Sequence, residues 1–399
     1  MRRSVGWTLL FTLSACAHRE SPKAVQPIVV ATADPIAHVE LSSADLRSVG
    51  KHFGCSTVEG VLTEIAEGFA RERLVSGTPV RIGQVVTDLR KRNLHYVWPK
   101  VAFVSGMSWG HVQERMVSNE GPKGGAWTSA HGQAQPSDPD RPGPNRHCGI
   151  SVVSRSDAQE TALSVLSADV FAEVEEISER PRTGVFQTIR WALRAPTPSL
   201  ELYVLGPDGS SRRTLVSVTG EKAHAPFAAP RPGRYMLQLV GDLGSGPRPL
   251  SESWIFADVS PSYPSDPPIA LRTSDPREAI SEAVMVLRTT YGQKELIRDP
   301  SLDAEAAKHT LAMSRTGRIA HNVGEGDARE RFTRSGIERR SIGEVVAMGT
   351  SLDDAWGSLL SSASHRATLV DPAFTFAGAS TLEDTSHRTW ITINLASAD

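Results

Sequence analysis

The spacing of apolar residues changes along the C-terminal third of the chain. Leu352, Ala355 and Leu359 recur at helical intervals, which is typical of a helix that packs one face on a core. Residues 390–395 instead alternate apolar and polar side chains, which predicts a strand. These patterns together predict an α+β domain over residues 271–399, here called the third block.

The N-terminal half shows both periods as well. Ser56 and Glu59 form a capping-box pattern at the start of an apolar helical stripe. The segments 147–153 (HCGISVV) and 161–170 (TALSVLSADV) alternate like two strands. The first block, residues 42–172, is therefore also predicted to be α+β.

Short alternating segments separated by turn signals fill the region between these two blocks. The turn Gly206-Pro-Asp-Gly209 is one such signal. This middle block, residues 173–262, is predicted to be an antiparallel β-sandwich of the Ig-like type. The proline-rich stretch 263–270 predicts a linker, so the chain is predicted to be multidomain.

The N-terminus differs from the rest of the chain. MRRSVGWTLLFTLSAC combines two arginines with an apolar run too short to span a membrane. Its end, LSAC, resembles the cleavage box of bacterial lipoproteins. This resemblance implies a signal peptide over 1–15, a lipidated Cys16 and a tether over 16–41 that holds the protein to the cell envelope. The expected location is the outer membrane, facing the periplasm or the cell surface. An ordinary signal peptide with an incidental cysteine is the alternative.

The overall charge narrows the possible partners. The chain has 43 basic and 45 acidic residues and a net charge of −2. Nucleic-acid-binding proteins usually carry a strongly basic surface, so no nucleic-acid partner is expected. The expected membrane contact is the lipid on Cys16.

Two cysteines remain if Cys16 is acylated. Cys55 and Cys148 would lie in an oxidising compartment, where a disulfide between them is expected. Two buried thiols are the alternative.

Most familiar catalytic motifs are missing from the sequence. One G-x-S-x-G pattern, residues 106–110, is interpreted as a glycine-flanked turn rather than a nucleophile elbow at Ser108, because no repeated βα pattern surrounds it. His309, in the second predicted helix of the third block, is interpreted as structural.

An ordered set of motifs in the third block resembles a known family, the CAP superfamily or SCP-like extracellular domain, in its bacterial form. The set consists of Arg288, residues 296–306, His321, Gly343-Glu344, Trp356, residues 362–366, residues 372–378 and the strand at 389–395. The resemblance implies an α-β-α sandwich. It also implies a shallow cleft lined by His321, Glu344 and His365.

In that family such a cleft has been proposed to bind divalent metal and, in some members, to support hydrolysis. Two imidazoles and a carboxylate could hold zinc, with His321 and His365 as ligands, or could act as acid and base. Each residue also has a plain alternative: His321 exposed at a helix end, Glu344 paired with Arg339 or Arg340, and His365 at a helix end. No second glutamate lies on the Trp356 helix, which departs from many eukaryotic members.

Three functions stay open at this point. The first is a binding or interaction module for a lipid, glycan or protein ligand. The second is a metal-assisted hydrolase that uses the His/Glu cleft. The third is a structural envelope component. The first block follows the same order of helices, loop and paired strands as the third, which suggests a degenerate copy without the His/Glu set.

Overall fold

The computed structural model describes residues 35–77, 80–117, 128–129, 145–195, 197, 199–242, 247–263, 274–360 and 362–398. The predicted signal peptide, Cys16, the tether up to residue 34 and nearly all of the predicted linker lie outside these ranges. The chain from Ile36 to Asp399 forms one compact unit. Within the described ranges, no helix is long and apolar enough to cross a lipid bilayer.

The first block is built on one sheet with helices packed against it. Its elements are β1 (Ile36–His38), α1 (Ser43–Phe53), β2 (Thr57–Val58), α2 (Gly60–Ser76), α3 (Ile82–Lys91), β3 (Lys100–Gly106), α4 (Trp109–Val117), β4 (Thr128–Ser129), β5 (Asn145–Arg155) and β6 (Glu160–Val170). The sheet order is β1-β5-β6-β3-β4, and β2 pairs in parallel with β5. The β5–β6 pair contains the two strands predicted from alternation.

The predicted capping box of the first block is wrong. The Ser56 hydroxyl donates to the Arg146 carbonyl at 3.0 Å, because the chain on either side of β2 pairs with β5. Helix α2 begins after Glu59, whose side chain makes no cap hydrogen bond. The predicted apolar stripe is nevertheless buried, with Leu62, Ile65 and Phe69 in one core cluster.

The middle block consists of two four-stranded antiparallel sheets. Its strands are β7 (Ala172–Glu176), β8 (Gln187–Leu193), β9 (Leu200–Leu205), β10 (Ser211–Leu215), β11 (Ser217–Thr219), β12 (Lys222–Phe227), β13 (Gly233–Asp242) and β14 (Pro247–Ala257). The sheet orders are β10-β9-β13-β14 and β11-β12-β8-β7. Alternate residues of both sheets, including Ile189, Leu202 and Leu237, meet in one buried cluster. The antiparallel pairing agrees with the sequence analysis, and the Ig-like type stays a prediction.

The third block has helices on both faces of a four-stranded sheet. Its elements are α5 (Pro276–Thr290), β15 (Ile297–Arg298), α6 (Pro300–Thr316), α7 (Ala328–Arg334), β16 (Ile342–Gly349), α8 (Leu352–Leu360), α9 (Ala363–Val370), β17 (Phe376–Glu383) and β18 (Thr389–Ala396). The order is β15-β17-β18-β16, with β15 parallel to β17 and the other pairs antiparallel. An α+β fold with several antiparallel sheets is therefore present.

The odd and even residues of β16 face different cores. Val345 and Ala347 pack with α5, α8 and α9, whereas Val346 and Met348 pack with Met313 of α6. The first of these cores also contains Met236 from β13 and so joins the middle and third blocks. The predicted domain boundaries stay predictions.

Candidate functional site

A buried carboxylate lies at the centre of the candidate site. Glu344 is on β16, and its side chain is 2% exposed. Its Oε1 accepts a hydrogen bond from His321 Nδ1 at 2.9 Å and lies 3.7 Å from His309 Nε2. Its Oε2 forms an ion pair with the Arg331 guanidinium, whose side chain is also 2% exposed. Both carboxylate oxygens therefore already have partners within the protein.

The environment of Glu344 keeps this carboxylate ionised. Burial alone would raise its pKa, since it disfavours the charged form. The hydrogen bond from His321 and the charges of His309, His321 and Arg331 act in the opposite direction and lower the pKa to about 2. Glu344 is therefore a fixed negative charge at neutral pH.

His309 is fully buried on α6 and has acceptors at both ring nitrogens. Its Nε2 donates to the Ala320 carbonyl at 3.0 Å, and its Nδ1 contacts a Glu325 carboxylate oxygen. The structural role predicted for His309 is consistent with these contacts, because the ring ties α6 to the loop that carries His321.

Arg331 holds that loop in place. Its Nη1 donates to the carbonyls of His321 and Gly326, each at 2.7 Å, while its Nη2 pairs with Glu344. Arg339 or Arg340 was the plain alternative partner expected for Glu344. Instead, the capping box of Asp327 and Glu330 starts α7 and directs Arg331 inward. That capping-box pattern was the one sequence signal that could have revealed the helix, and no signal pointed to Glu325.

His365 lies on α9, apart from the hydrogen-bonded cluster. Ser362 caps this helix by accepting the His365 N–H at 3.4 Å. The His365 Nδ1 atom is buried, and it has no hydrogen-bond partner among the described residues. Burial and, to a lesser extent, the charge of His321 lower the pKa of His365 to about 3. His365 is therefore neutral at physiological pH. The charge of His321 acts on its ring.

A zinc site that uses Glu344 as a ligand does not fit this arrangement, whereas zinc bound by His321 and His365 stays a prediction. Both oxygens of Glu344 are occupied by protein donors, and His321 turns its Nδ1 toward that carboxylate. A zinc ligand needs a free lone pair directed at the ion. In the described part of the chain, no group of three or more His, Cys, Asp or Glu side chains is arranged to hold a metal ion. We therefore derive no step through a metal.

Two further sequence expectations concern the first block. The predicted disulfide is confirmed, because Cys55 and Cys148 are bonded, with their Cα atoms 5.8 Å apart. Ser108 lies just before α4, and its Oγ accepts the His111 N–H at 3.3 Å. This contact agrees with the interpretation of the G-x-S-x-G pattern as a turn.

Comparisons with known proteins give only distant structural matches. No family model matches the chain, and no curated protein matches it. An outer surface protein from Borrelia burgdorferi is similar at 17% identity and a TM-score of 0.30, covering 32% of this chain and 96% of that one. An extracellular SCP-domain protein from Bacillus anthracis is similar at 13% identity and a TM-score of 0.29, covering 57% and 98%. A cysteine-rich secretory protein from Staphylococcus aureus is similar at 10% identity and a TM-score of 0.27, covering 65% and 81%.

Proposed function

We propose that this protein is a bacterial envelope lipoprotein, anchored through Cys16, whose third block binds a neutral glycan in the cleft at His321 and His365. The observation that carries the proposal is the saturation of Glu344 by His321 and Arg331. With the carboxylate occupied, the groups left to meet a ligand are two imidazole rings. The first block is, in this proposal, a degenerate copy of the same domain.

The state of the two rings supports a neutral ligand with hydroxyl groups. His321 donates from Nδ1 to Glu344, so its Nε2 is left for a ligand, and its side chain is 27% exposed. His365 stays uncharged, because the pKa of its ring is lowered to about 3. The neutral imidazole of His365 can donate to and accept from sugar hydroxyls, whereas it provides no charge to attract an anionic headgroup.

Titration calorimetry with a set of neutral cell-wall oligosaccharides tests this function. We expect His321→Ala and His365→Ala each to weaken binding at least about tenfold, as the loss of a hydrogen bond to a ligand predicts. His387→Ala is the matched control, since His387 also contacts a glutamate, Glu383 at 2.8 Å, but its side chain is 88% exposed. Binding that survives both cleft substitutions would contradict the proposal. Binding of the unlipidated protein to neutral vesicles, with no binding to oligosaccharides, would favour a lipid ligand.

A hydrolase is the second candidate, and the His321–Glu344 pair favours it. A carboxylate that receives Nδ1–H orients an imidazole so that Nε2 can act as a general base. Arg331 also neutralises this carboxylate, which reduces its influence on the ring. Turnover of ester or glycoside substrates that is lost in Glu344→Gln would support this candidate.

A further inference from the structure

The first turn of α9 is capped by a residue from another block. The backbone N–H groups at the start of a helix have no partner within the helix and need acceptors elsewhere. The Ser364 N–H donates to Gln238 Oε1 at 3.0 Å, and Ser362 Oγ lies 3.2 Å from both polar atoms of the same amide. Gln238 belongs to β13 of the middle block and is 1% exposed. The helix of His365 is therefore held by a residue from outside the third block.

The amide of Gln238 is itself fixed by a buried carboxylate. Its Nε2 donates to Glu252 Oε2 at 2.8 Å, and the two residues lie directly opposite each other on β13 and β14. Glu252 also accepts from Trp254 Nε1 at 3.2 Å. Because an amide cannot exchange its donor and acceptor without losing these bonds, Gln238 must present its oxygen to α9.

A residue of the first block anchors the Glu252 carboxylate. Arg90 of α3 lies 3.4 Å from Glu252 Oε1, and both side chains are 2% exposed. The other Arg90 nitrogens donate to the carbonyls of Leu94 and Tyr96. A continuous buried chain of hydrogen bonds thus runs from the first block, through the middle block, to the helix of His365.

The His365 ring depends on the position of this helix. Its Nδ1 has no hydrogen-bond partner among the described residues, so no such bond at this atom holds the side chain. Helix α9 also packs against β9 and β13 of the middle block. A shift of its first turn would move the ring away from the cleft and toward water.

We propose that Gln238 is a positioning residue for the cleft, and that the middle block completes the third block's site by capping the first turn of α9. The inference rests on the proposed function only in treating His365 as a ligand group. It predicts that the environment of His365 responds to a change in the middle block.

NMR titration of the histidine rings in the full chain tests the proposal without any ligand, so its failure is distinct from failure of glycan binding. In the native protein His365 should not titrate between pH 8 and pH 5. In Gln238→Leu its midpoint should move from about 3 toward the ordinary value of about 6.5. The exchange variant Gln238→Glu with Glu252→Gln keeps an acceptor for the Ser364 N–H and should restore the native behaviour.

The matched control is Tyr235→Phe on the same strand. It removes the hydrogen bond from the Tyr235 hydroxyl to the Arg231 carbonyl at 2.9 Å, at a buried position in the other core of the middle block. The control should leave the His365 titration unchanged. An unaltered titration in Gln238→Leu, or an equal change in Tyr235→Phe, would overturn the proposal.

A measurement on the native protein covers the case in which Gln238→Leu does not fold. The Ser364 amide should exchange its hydrogen as slowly as amides in the middle of β13, because its acceptor is buried. Exchange about a hundredfold faster than those amides would show that the Gln238 contact does not hold the helix.

Discussion

The first and third blocks share a strand order but differ in the chemistry they carry. In the third block the order is β15-β17-β18-β16, and the short first strand is parallel to its neighbour. In the first block β2, β5, β6 and β3 follow in the same order, with β2 again parallel to β5. Each short strand leads directly into a helix of 17 residues, α2 or α6.

The close approach of helix and sheet is also repeated. A Cβ atom on Gly149 would lie 2.0 Å from the Leu62 carbonyl carbon, and one on Gly378 would lie 2.3 Å from that of Leu302. The residue after each glycine donates its N–H to the helix, to Thr63 Oγ1 at 3.3 Å and to Asp303 Oδ1 at 2.8 Å. These contacts fix the helix on the sheet in both blocks.

The two blocks differ in the residues on the sheet face that packs against α2 or α6. Strand pairing places Glu344 beside Asn394 in the third block, whereas it places Val101 beside Leu166 in the first. In the first block Val101 and Leu166 pack in an apolar cluster with α2 and α3. The glycine contacts and the strand order therefore maintain the fold in both blocks, whereas the charged cluster around Glu344 belongs to the third block.

Removing the disulfide should produce the largest difference in stability between the first and third blocks. Cys55→Ser with Cys148→Ser should lower the free energy of unfolding by about 4–5 kcal/mol, because the bond closes a loop of 93 residues. Hydrogen exchange with mass spectrometry should show the loss in the first block. Cys16→Ser is the control and should leave exchange unchanged. Equal loss of protection in the third block would mean that the blocks unfold together.

Breaking the buried ion pair should weaken the third block alone. Arg331→Met leaves Glu344 charged in a buried site, and denaturant unfolding should show a loss of about 3–5 kcal/mol. The double variant Arg331→Met with Glu344→Met makes the site apolar, as in the first block, and should recover most of that loss. Arg329→Met, at an exposed position on the same helix, is the control. Equal losses in the single and double variants would contradict the view that the charged cluster is separable from the fold.

Periodicity in the sequence could predict the elements because it reports which faces are buried. The strands β5, β6 and β18 and the helices α2 and α8 are all visible in the sequence as alternating or helical apolar patterns. The disulfide followed from cysteine count and compartment. The capping box at Ser56 failed because the hydroxyl bonds to Arg146, a partner ninety residues away that no local pattern reveals.

The site was less accessible to sequence reasoning for the same reason. His321, Glu344 and His365 came from the family resemblance, and the structure joins only the first two by a hydrogen bond. Arg331 depends on the fold of the loop before α7. The cap by Gln238 spans 126 residues of sequence and joins the middle block to the third block, and only three-dimensional contacts could show it.

The two close-approach glycines provide a direct test of the shared contacts. Gly149→Ala and Gly378→Ala should each cost about 1–3 kcal/mol or more, because the new methyl group would overlap backbone atoms of the facing helix. Gly68→Ala and Gly357→Ala are matched controls in helices of the two blocks, with nothing within 4 Å, and should be neutral or stabilising by up to about 1 kcal/mol. Urea unfolding of all four variants checks this. If only one of Gly149→Ala and Gly378→Ala lowers stability, the close approach of helix and sheet differs between the two blocks.

The smallest effect concerns the pH dependence of stability. Burial and the charge of His321 lower the pKa of His365 to about 3, so the unfolded chain binds a proton between about pH 6.5 and pH 3 that the folded protein does not. Stability from this group is fully present above pH 6.5 and falls as the pH drops through that window. Glu344, whose pKa is lowered to about 2, adds a loss of the same sign only below its ordinary value near 4.5. Between pH 6.5 and pH 4.5 the Glu344 effect is absent, while Glu252 and Glu179, whose pKa values are raised by burial, act with the opposite sign. Comparison of a histidine variant with the native protein therefore isolates that histidine.

Thermal unfolding followed between pH 7 and pH 4.5 should show His365→Asn with a shallower loss than the native protein, by at most about 1.4 kcal/mol per pH unit. His95→Asn is a necessary second variant, since burial and the charge of Arg90 lower the pKa of His95 to about 4 and give a slope of the same sign. His95 lies beside Glu252, whose N–H it accepts at its carbonyl, so the double variant measures any coupling between the two rings. Phe69 and Val101 line the corresponding apolar cluster of the first block and do not titrate. A native slope retained in His365→Asn would therefore show that this ring is already solvated in the folded protein.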